Sequence, residues 1–258
     1  IFDWISIRWW GMGVDGAAWA IFGSQLVAGL CSVLYLMRRK DEYHLSLRKI
    51  RISGKILSEV LRIGVPAGLQ NMVITLSNIF VQTAINGLGV TVIAAFTVYF
   101  KVELVIYLPI VAFGQAATTF VGQNMGAWRL DRVRKGVRTC IRIGLVYAVG
   151  VAAVLLPAGG FVFALFSPDR AVIEAGMRII RVTFPFYWLY VFLEVHADAL
   201  RGAGHSLPPM AIILLCVCVL RTVLLMTFTH IWGSLEAVAA VYPSAWLAAA
   251  VCLTLYWK

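Results

Sequence analysis

The 258 residues are 61% hydrophobic and only 13% charged, with a mean hydropathy of +0.87, against roughly 45–50% apolar content in soluble globular domains. A chain of this composition excludes an ordinary water-soluble fold and needs a bilayer as its solvent. The net charge of +10 comes from 22 Lys and Arg against 12 Asp and Glu. Those bases cluster in connectors between apolar runs, which argues against the one-sided basic face of a nucleic-acid binder.

No stretch alternates apolar and polar residues in the way a transmembrane barrel requires. The chain reads as all-α: a polytopic transmembrane helix bundle of about seven spans, each near the roughly 20 apolar residues that cross a bilayer. The first span covers residues 16–37 and ends in Arg38, Arg39 and Lys40. A basic connector follows with Arg48, Lys49, Arg51, Lys55 and Arg62, and its LSEVLRI segment has an amphipathic pattern. The second span, residues 65–87, turns in the uncharged NGLG connector into a third, residues 91–121, which is long and contains Pro109.

The connector after the third span carries Arg129, Arg132, Arg134, Lys135, Arg138 and Arg142 against one acid, Asp131. Spans four to seven occupy residues 143–166, 173–200, 207–228 and 238–257, with Lys258 last. The bases concentrate after spans one and three, so the positive-inside rule puts those connectors and the C-terminus in the cytoplasm and the start of the chain outside. That topology, and a start at Ile1 with no signal sequence before the first span, reads as an excerpt of a longer protein. The five cysteines lie in or beside apolar runs without metal-ligand spacing, as small buried hydrophobes do.

Charged side chains inside spans are expensive in lipid and default to pairs in the bundle or to a functional cavity. Here they are Lys101, Glu103, Glu194, His196, Asp198 and Arg221. On the fifth span Tyr187, Tyr190, Glu194, Asp198 and Arg201 recur every three or four residues and share one helical face, which His196 does not. A carboxyl in such a bundle can take up and release a proton, which makes Glu103 and Glu194 candidates for ion coupling. On the second span Asn71, Thr75, Asn78 and Gln82 form an uncharged polar stripe suited to a ligand or to another helix. Arg221 is a candidate counter-charge for Glu194.

Five segments together resemble the multidrug and toxic compound extrusion family: GVDGAAWA before the first span, RIGVPAGLQNMV at the second, FVGQNMGAWRLDRVRKG after the third, LF followed by an acid after the fourth, and ALRGAGHSLPPM after the fifth. The resemblance implies two six-helix lobes. Residues 1–37 would then be the last helix of the N-terminal lobe, 38–62 a cytoplasmic inter-lobe connector and 63–258 the C-terminal lobe. It further implies export of drugs or other cationic or amphipathic compounds in exchange for protons or sodium, by rocking of the lobes around a central site. The implied partners are small-molecule substrates, membrane lipid and the N-terminal lobe of the same polypeptide, in a plasma (inner) membrane, with no cofactor beyond the ion gradient. In the sodium-coupled branch acids stand at positions matching Ile74 and Tyr190, so a sodium site is left unassigned, while Glu194 and Asp198 share Tyr190's face.

Two other readings stay open. A flippase for a lipid-linked precursor shares the two-lobed plan and would need a strongly basic cavity; a non-transporting receptor or scaffold would bind ligands without flux. An enzyme is not expected, because the chain has no GxSxG, no HExxH and four scattered histidines.

Overall fold

The computed structural model describes residues 5, 12–39, 44–46 and 51–257, and among them every regular element is helical. Lys40, Arg48, Lys49 and Lys258 of the predicted basic flanks lie outside the described residues. The chain divides into two compact units, Ile1–Leu57 and Ser58–Lys258. In the first, helix α1 (Gly13–Arg38) turns apolar side chains such as Trp19, Phe22 and Leu30 outward. That is how a helix solvated by hydrocarbon is built.

The second helix, α2 (Gly54–Gly87), begins eleven residues before the predicted second span, so the amphipathic LSEVLRI segment is its first part rather than a separate connector helix. Then come α3 (Val90–Gly126) and α4 (Leu130–Ala164). The bases Arg132, Arg134, Lys135, Arg138 and Arg142, expected in a loop, therefore stand on the first turns of α4.

The predicted fifth span is broken. It consists of α5 (Arg170–Thr183), a 3-10 turn at Phe184–Phe186 containing Pro185, and α6 (Tyr187–Gly202). Proline lacks the N–H that would continue the ladder, which accounts for a break here. Neither piece is long enough to cross a bilayer alone, so six helices among the described residues meet the length and apolarity of a span. The start of α5 is fixed by Asp169, whose carboxylate accepts from the Ala171 N–H at 2.9 Å. The sixth predicted span is likewise irregular: α7 (Leu207–Ile213), a π-helical stretch at Leu214–Leu220, and α8 (Arg221–Ile231). The last helix is α9 (Leu235–Trp257), with Pro243 inside it.

At the centre of the second unit α6 packs against α3, α4 and α9. Its residues Val191, Val195, Ala197 and Ala199 are fully buried, and Tyr187 almost so. Lipid supplies no hydrophobic force between helices, so close approach of small residues has to supply the packing. Two glycines do this on the α3–α6 contact. A Cβ on Gly202 would lie 2.4 Å from the Thr118 carbonyl oxygen, and one on Gly114 would lie 2.4 Å from Asp198 Oδ2. The Thr118 hydroxyl donates to the Asp198 carbonyl at 2.9 Å and ties the same two helices.

This contact makes a stability prediction. Gly202→Val should destabilise the protein by about 1–3 kcal/mol, the usual penalty of overpacking, seen as a lowered midpoint of thermal unfolding in detergent. Gly150→Val, at a site with nothing within 4 Å of its Cβ position, is the control and should leave the midpoint within experimental scatter. Equal midpoints for the two variants would mean that α3 and α6 do not depend on this approach.

Candidate functional site

A cavity of about 460 Å³ opens in the second unit, walled by residues of α2, α3, α6, the α7–α8 span and α9. Its polar groups are Gln70, Asn78, Gln82, Glu103, Tyr107, Tyr190, Glu194, Arg221 and Tyr242, and Trp246 adds a broad apolar face. The size and the mixture suit a small organic ligand: mostly apolar walls with a few polar groups converging.

Glu103 enters from α3 and has two phenolic partners. Tyr99, one turn before it, donates to Glu103 Oε1 at 3.2 Å, and Tyr187 at the head of α6 donates to the same oxygen. The 3-10 turn at Phe184–Phe186 matters here, because it ends at Tyr187 and starts α6 with that hydroxyl aimed at α3. Glu194 lies two turns further along α6, on the same face as Tyr190 and on the same cavity wall.

The rings around these acids form a connected cluster. Tyr187 and Tyr190 meet Trp246 with centroids 4.8 and 5.5 Å away, Tyr190 meets Tyr107 at 5.5 Å, and Tyr242 meets Trp246 at 6.2 Å. Such edge and tilted contacts are the preferred aromatic arrangements. Of these rings, Tyr107, Tyr190, Tyr242 and Trp246 line the cavity.

Asp198 is not among the lining residues. It sits one turn past Glu194, 6% exposed, paired with Arg201, whose other amino group donates to Gln70 Oε1 at 3.2 Å. The triad joins α6 to α2 at the edge of the cavity where Gln70 lies. His196 faces the other way: its Nδ1 is 2.8 Å from the Phe192 carbonyl and its ring packs near Trp257.

Arg221 stands where the π-helical stretch ends and α8 begins. The expected ion pair with Glu194 does not form. Its Nε donates to Ser77 Oγ at 3.1 Å and a terminal amino group donates to Asn78 Oδ1 at 2.8 Å, across to α2, and its guanidinium lies 5.7 Å from the Tyr242 ring centroid. The arginine is directed to α2 rather than to α6. Lys101 is also elsewhere. It is exposed, outside the cavity lining, with its ammonium 5.8 Å from the Phe166 ring beyond the end of α4; two residues from Glu103, it points off another side of α3.

The polar stripe of α2 divides in the same way. Asn78 and Gln82 line the cavity, while Asn71 and Thr75 do not, and the Thr75 hydroxyl donates to the Asn71 carbonyl at 2.9 Å. The α2 face that meets the cavity runs through Gln70, Ile74, Asn78, Val81 and Ile85. Ile74 and Tyr190, the positions at which the resemblance expects acids in sodium-coupled members, both lie on this wall. Residues not singled out from the sequence are Gln70, Ser77, Tyr99, Tyr107, Tyr242 and Trp246. Tyr99, Glu103 and Tyr107 repeat every four residues, a signal of one helical face around an acid that was available in the sequence.

Comparison with known proteins places the chain among membrane transporters. It is 25% identical over 257 residues to "Probable multidrug resistance protein YoeA" of Bacillus subtilis, covering 96% of this chain and 54% of that protein. It is 26% identical over 217 residues to "Multidrug export protein MepA" of Staphylococcus aureus, covering 83% of this chain and 48% of that protein. The chain thus spans about half the length of the curated relatives it matches. Among solved structures, one described as MATE in complex with MaL6 shares its fold at a TM-score of 0.92 and 22% identity, over 99% of this chain and 58% of that one. An outward-facing multidrug resistance MATE transporter of the MOP superfamily does so at 0.91 and 22%, with the same coverage. The MatE family profile matches residues 66–227, which take in most of the cavity wall, and this polytopic membrane chain belongs to the MatE family of transporters.

Proposed function

We propose that this chain is the C-terminal lobe, with one preceding helix, of a secondary antiporter that exports amphipathic compounds in exchange for protons. One observation carries the reading: two carboxyls from different helices, Glu103 and Glu194, open onto a single aromatic-walled cavity large enough for a small organic molecule. In an exchanger the ion and the substrate must compete for the same groups. An ionised carboxylate attracts a cationic head, and a protonated one no longer does. The rings of Tyr107, Tyr190 and Trp246 would hold the apolar body and contribute about 0.5–2 kcal/mol for each cation–π contact.

Protons rather than sodium fit the local chemistry of Glu103. Its Oε1 already accepts from the hydroxyls of Tyr99 and Tyr187, an arrangement of O–H donors around one oxygen that suits proton exchange. A cavity for a lipid-linked precursor would need several cations, and Arg221 is the only one on its wall among the described residues. Movement of the two lobes about this site, a plasma-membrane location and a cytoplasmic C-terminus complete the proposal; the distribution of bases supports that orientation.

Two outcomes are expected in proteoliposomes holding the full-length transporter. Export of a fluorescent cationic dye should follow an imposed proton gradient and should fall at least about tenfold in Glu194→Gln and in Glu103→Gln, with unchanged protein in the vesicles. Flux driven by a sodium gradient alone would replace the proton in this scheme, and undiminished flux in both variants would remove the carboxyls from it. Tyr187→Phe should weaken folding by about 1–2 kcal/mol through loss of a hydrogen bond to a carboxyl. It should also shift the pH dependence of dye export, a change that a purely packing role for Tyr187 would not produce.

A further inference from the structure

A second concave surface lies on the second unit, between α3 and α4. It is a groove of about 420 Å³ with Ala116 and Phe120 of α3 on one wall and Arg132, Lys135, Thr139 and Cys140 of α4 on the other. Its floor depends on a glycine at position 136, where a Cβ would lie 2.1 Å from Phe120 Cε1, so the ring presses against the α4 backbone. The chemistry changes along its length. Arg132 and Lys135, both exposed, stand on the first two turns of α4, and Thr139 and Cys140 follow one turn later. Beyond them α4 presents apolar side chains outward, with Ile143 51% and Val146 76% exposed. At 1.5 Å per residue, Arg132 to Cys140 spans about 12 Å. That is enough to run from the headgroup layer of a bilayer, about 5–8 Å thick on each side, into the start of its hydrocarbon.

Among the described residues no carboxylate pairs with Arg132 or Lys135. Asp131, the one acid in this segment, lines a separate pocket with Arg134 and His205. The Thr139 hydroxyl already donates to the Lys135 carbonyl at 2.9 Å, so the free donors at this end of the groove are the two cations. They are three residues apart, which puts them on one helical face. We propose that the groove between α3 and α4 is a binding site for one anionic phospholipid, whose phosphate meets Arg132 and Lys135 while an acyl chain lies along Phe120, Gly136, Cys140 and Ala116. Charge complementarity selects the headgroup, since each basic residue near a bilayer surface adds attraction to an anionic lipid and none to a neutral one. The apolar continuation selects a lipid over a soluble anion, which would have no use for the floor beyond the cations. The site is separate from the cavity that holds Glu103 and Glu194, and the proposal does not depend on what that cavity transports or on the ion that drives it.

The test uses the full-length transporter in a non-ionic detergent, equilibrated with an equimolar mixture of phosphatidylglycerol and phosphatidylcholine of identical acyl chains, with the bound lipids counted by native mass spectrometry. The wild type should retain phosphatidylglycerol over phosphatidylcholine by about tenfold or more, as expected for two basic contacts. Arg132→Gln/Lys135→Gln should bring the two lipids within about twofold of each other. Arg134→Gln/Arg138→Gln, which removes the same charge from exposed positions of α4 outside the groove, should keep the preference. Ala116→Trp, which fills the apolar end and leaves both cations in place, should lower retention of phosphatidylglycerol by about fivefold or more, about 1 kcal/mol at the usual conversion. A wild type without preference, or the same loss in both double variants, would reduce the groove to part of a diffuse basic surface and overturn the proposal. Undiminished preference in Arg132→Gln/Lys135→Gln, or undiminished retention in Ala116→Trp, would overturn it as well. Excess inorganic phosphate should leave the lipid bound; displacement would show a site for a soluble anion instead.

Discussion

The close approach of α3 and α6 is the contact on which the rest of the second unit depends. In hydrocarbon there is no hydrophobic gain from bringing two apolar helices together, so association rests on van der Waals contact and interhelical hydrogen bonds. Gly114 and Gly202 bring the two backbones near enough for both, and the Thr118 hydroxyl closes the interval by donating to the Asp198 carbonyl. That approach has a chemical consequence. It brings Glu103 of α3 under the hydroxyl of Tyr187 and sets Glu194 of α6 on the same cavity wall.

Irregular backbone is concentrated at this cavity. The 3-10 turn containing Pro185 starts α6 at Tyr187, and the π-helical stretch before Arg221 contributes Val217 to the lining and ends at the guanidinium. Uninterrupted helices are the simplest way to satisfy backbone groups in lipid, and departures are tolerated where neighbouring helices or a cavity compensate. Both departures here fall beside charged or phenolic side chains that meet another helix: Tyr187 reaches Glu103, and Arg221 reaches Ser77 and Asn78.

The polar groups around the cavity fall into two sets. Asp198 has Arg201 as an immediate partner, with Gln70 completing a bridge to α2, and this set has the character of a structural tie. Glu103, Glu194 and Arg221 line the cavity without an ion-pair partner among the described residues, and the aromatic rings stand between and around them. Charge left without a fixed counter-charge at depth is costly, which sets the second group apart from the first.

Composition and periodicity alone determined that this chain is an all-helical membrane protein, because a bilayer demands long apolar runs and no other backbone arrangement here could satisfy its hydrogen bonds. The family was legible too, in five ordered segments, and the acids at depth stood out, because charge inside an apolar run needs no structure to be noticed. The face of α6 through Tyr187, Tyr190 and Glu194 was readable from a spacing of three and four, since those neighbours lie on one element. What tertiary structure decided was every relation between elements. That Asn78 and Gln82 meet the cavity while Asn71 and Thr75 do not, that Arg221 bonds to α2 instead of Glu194, and that Lys101 lies near Phe166 all depend on how each helix is rotated about its own axis. Rotation and depth are set by packing at glycines and by the proline and π irregularities, and a one-dimensional pattern holds helical faces but not which neighbour each face will meet.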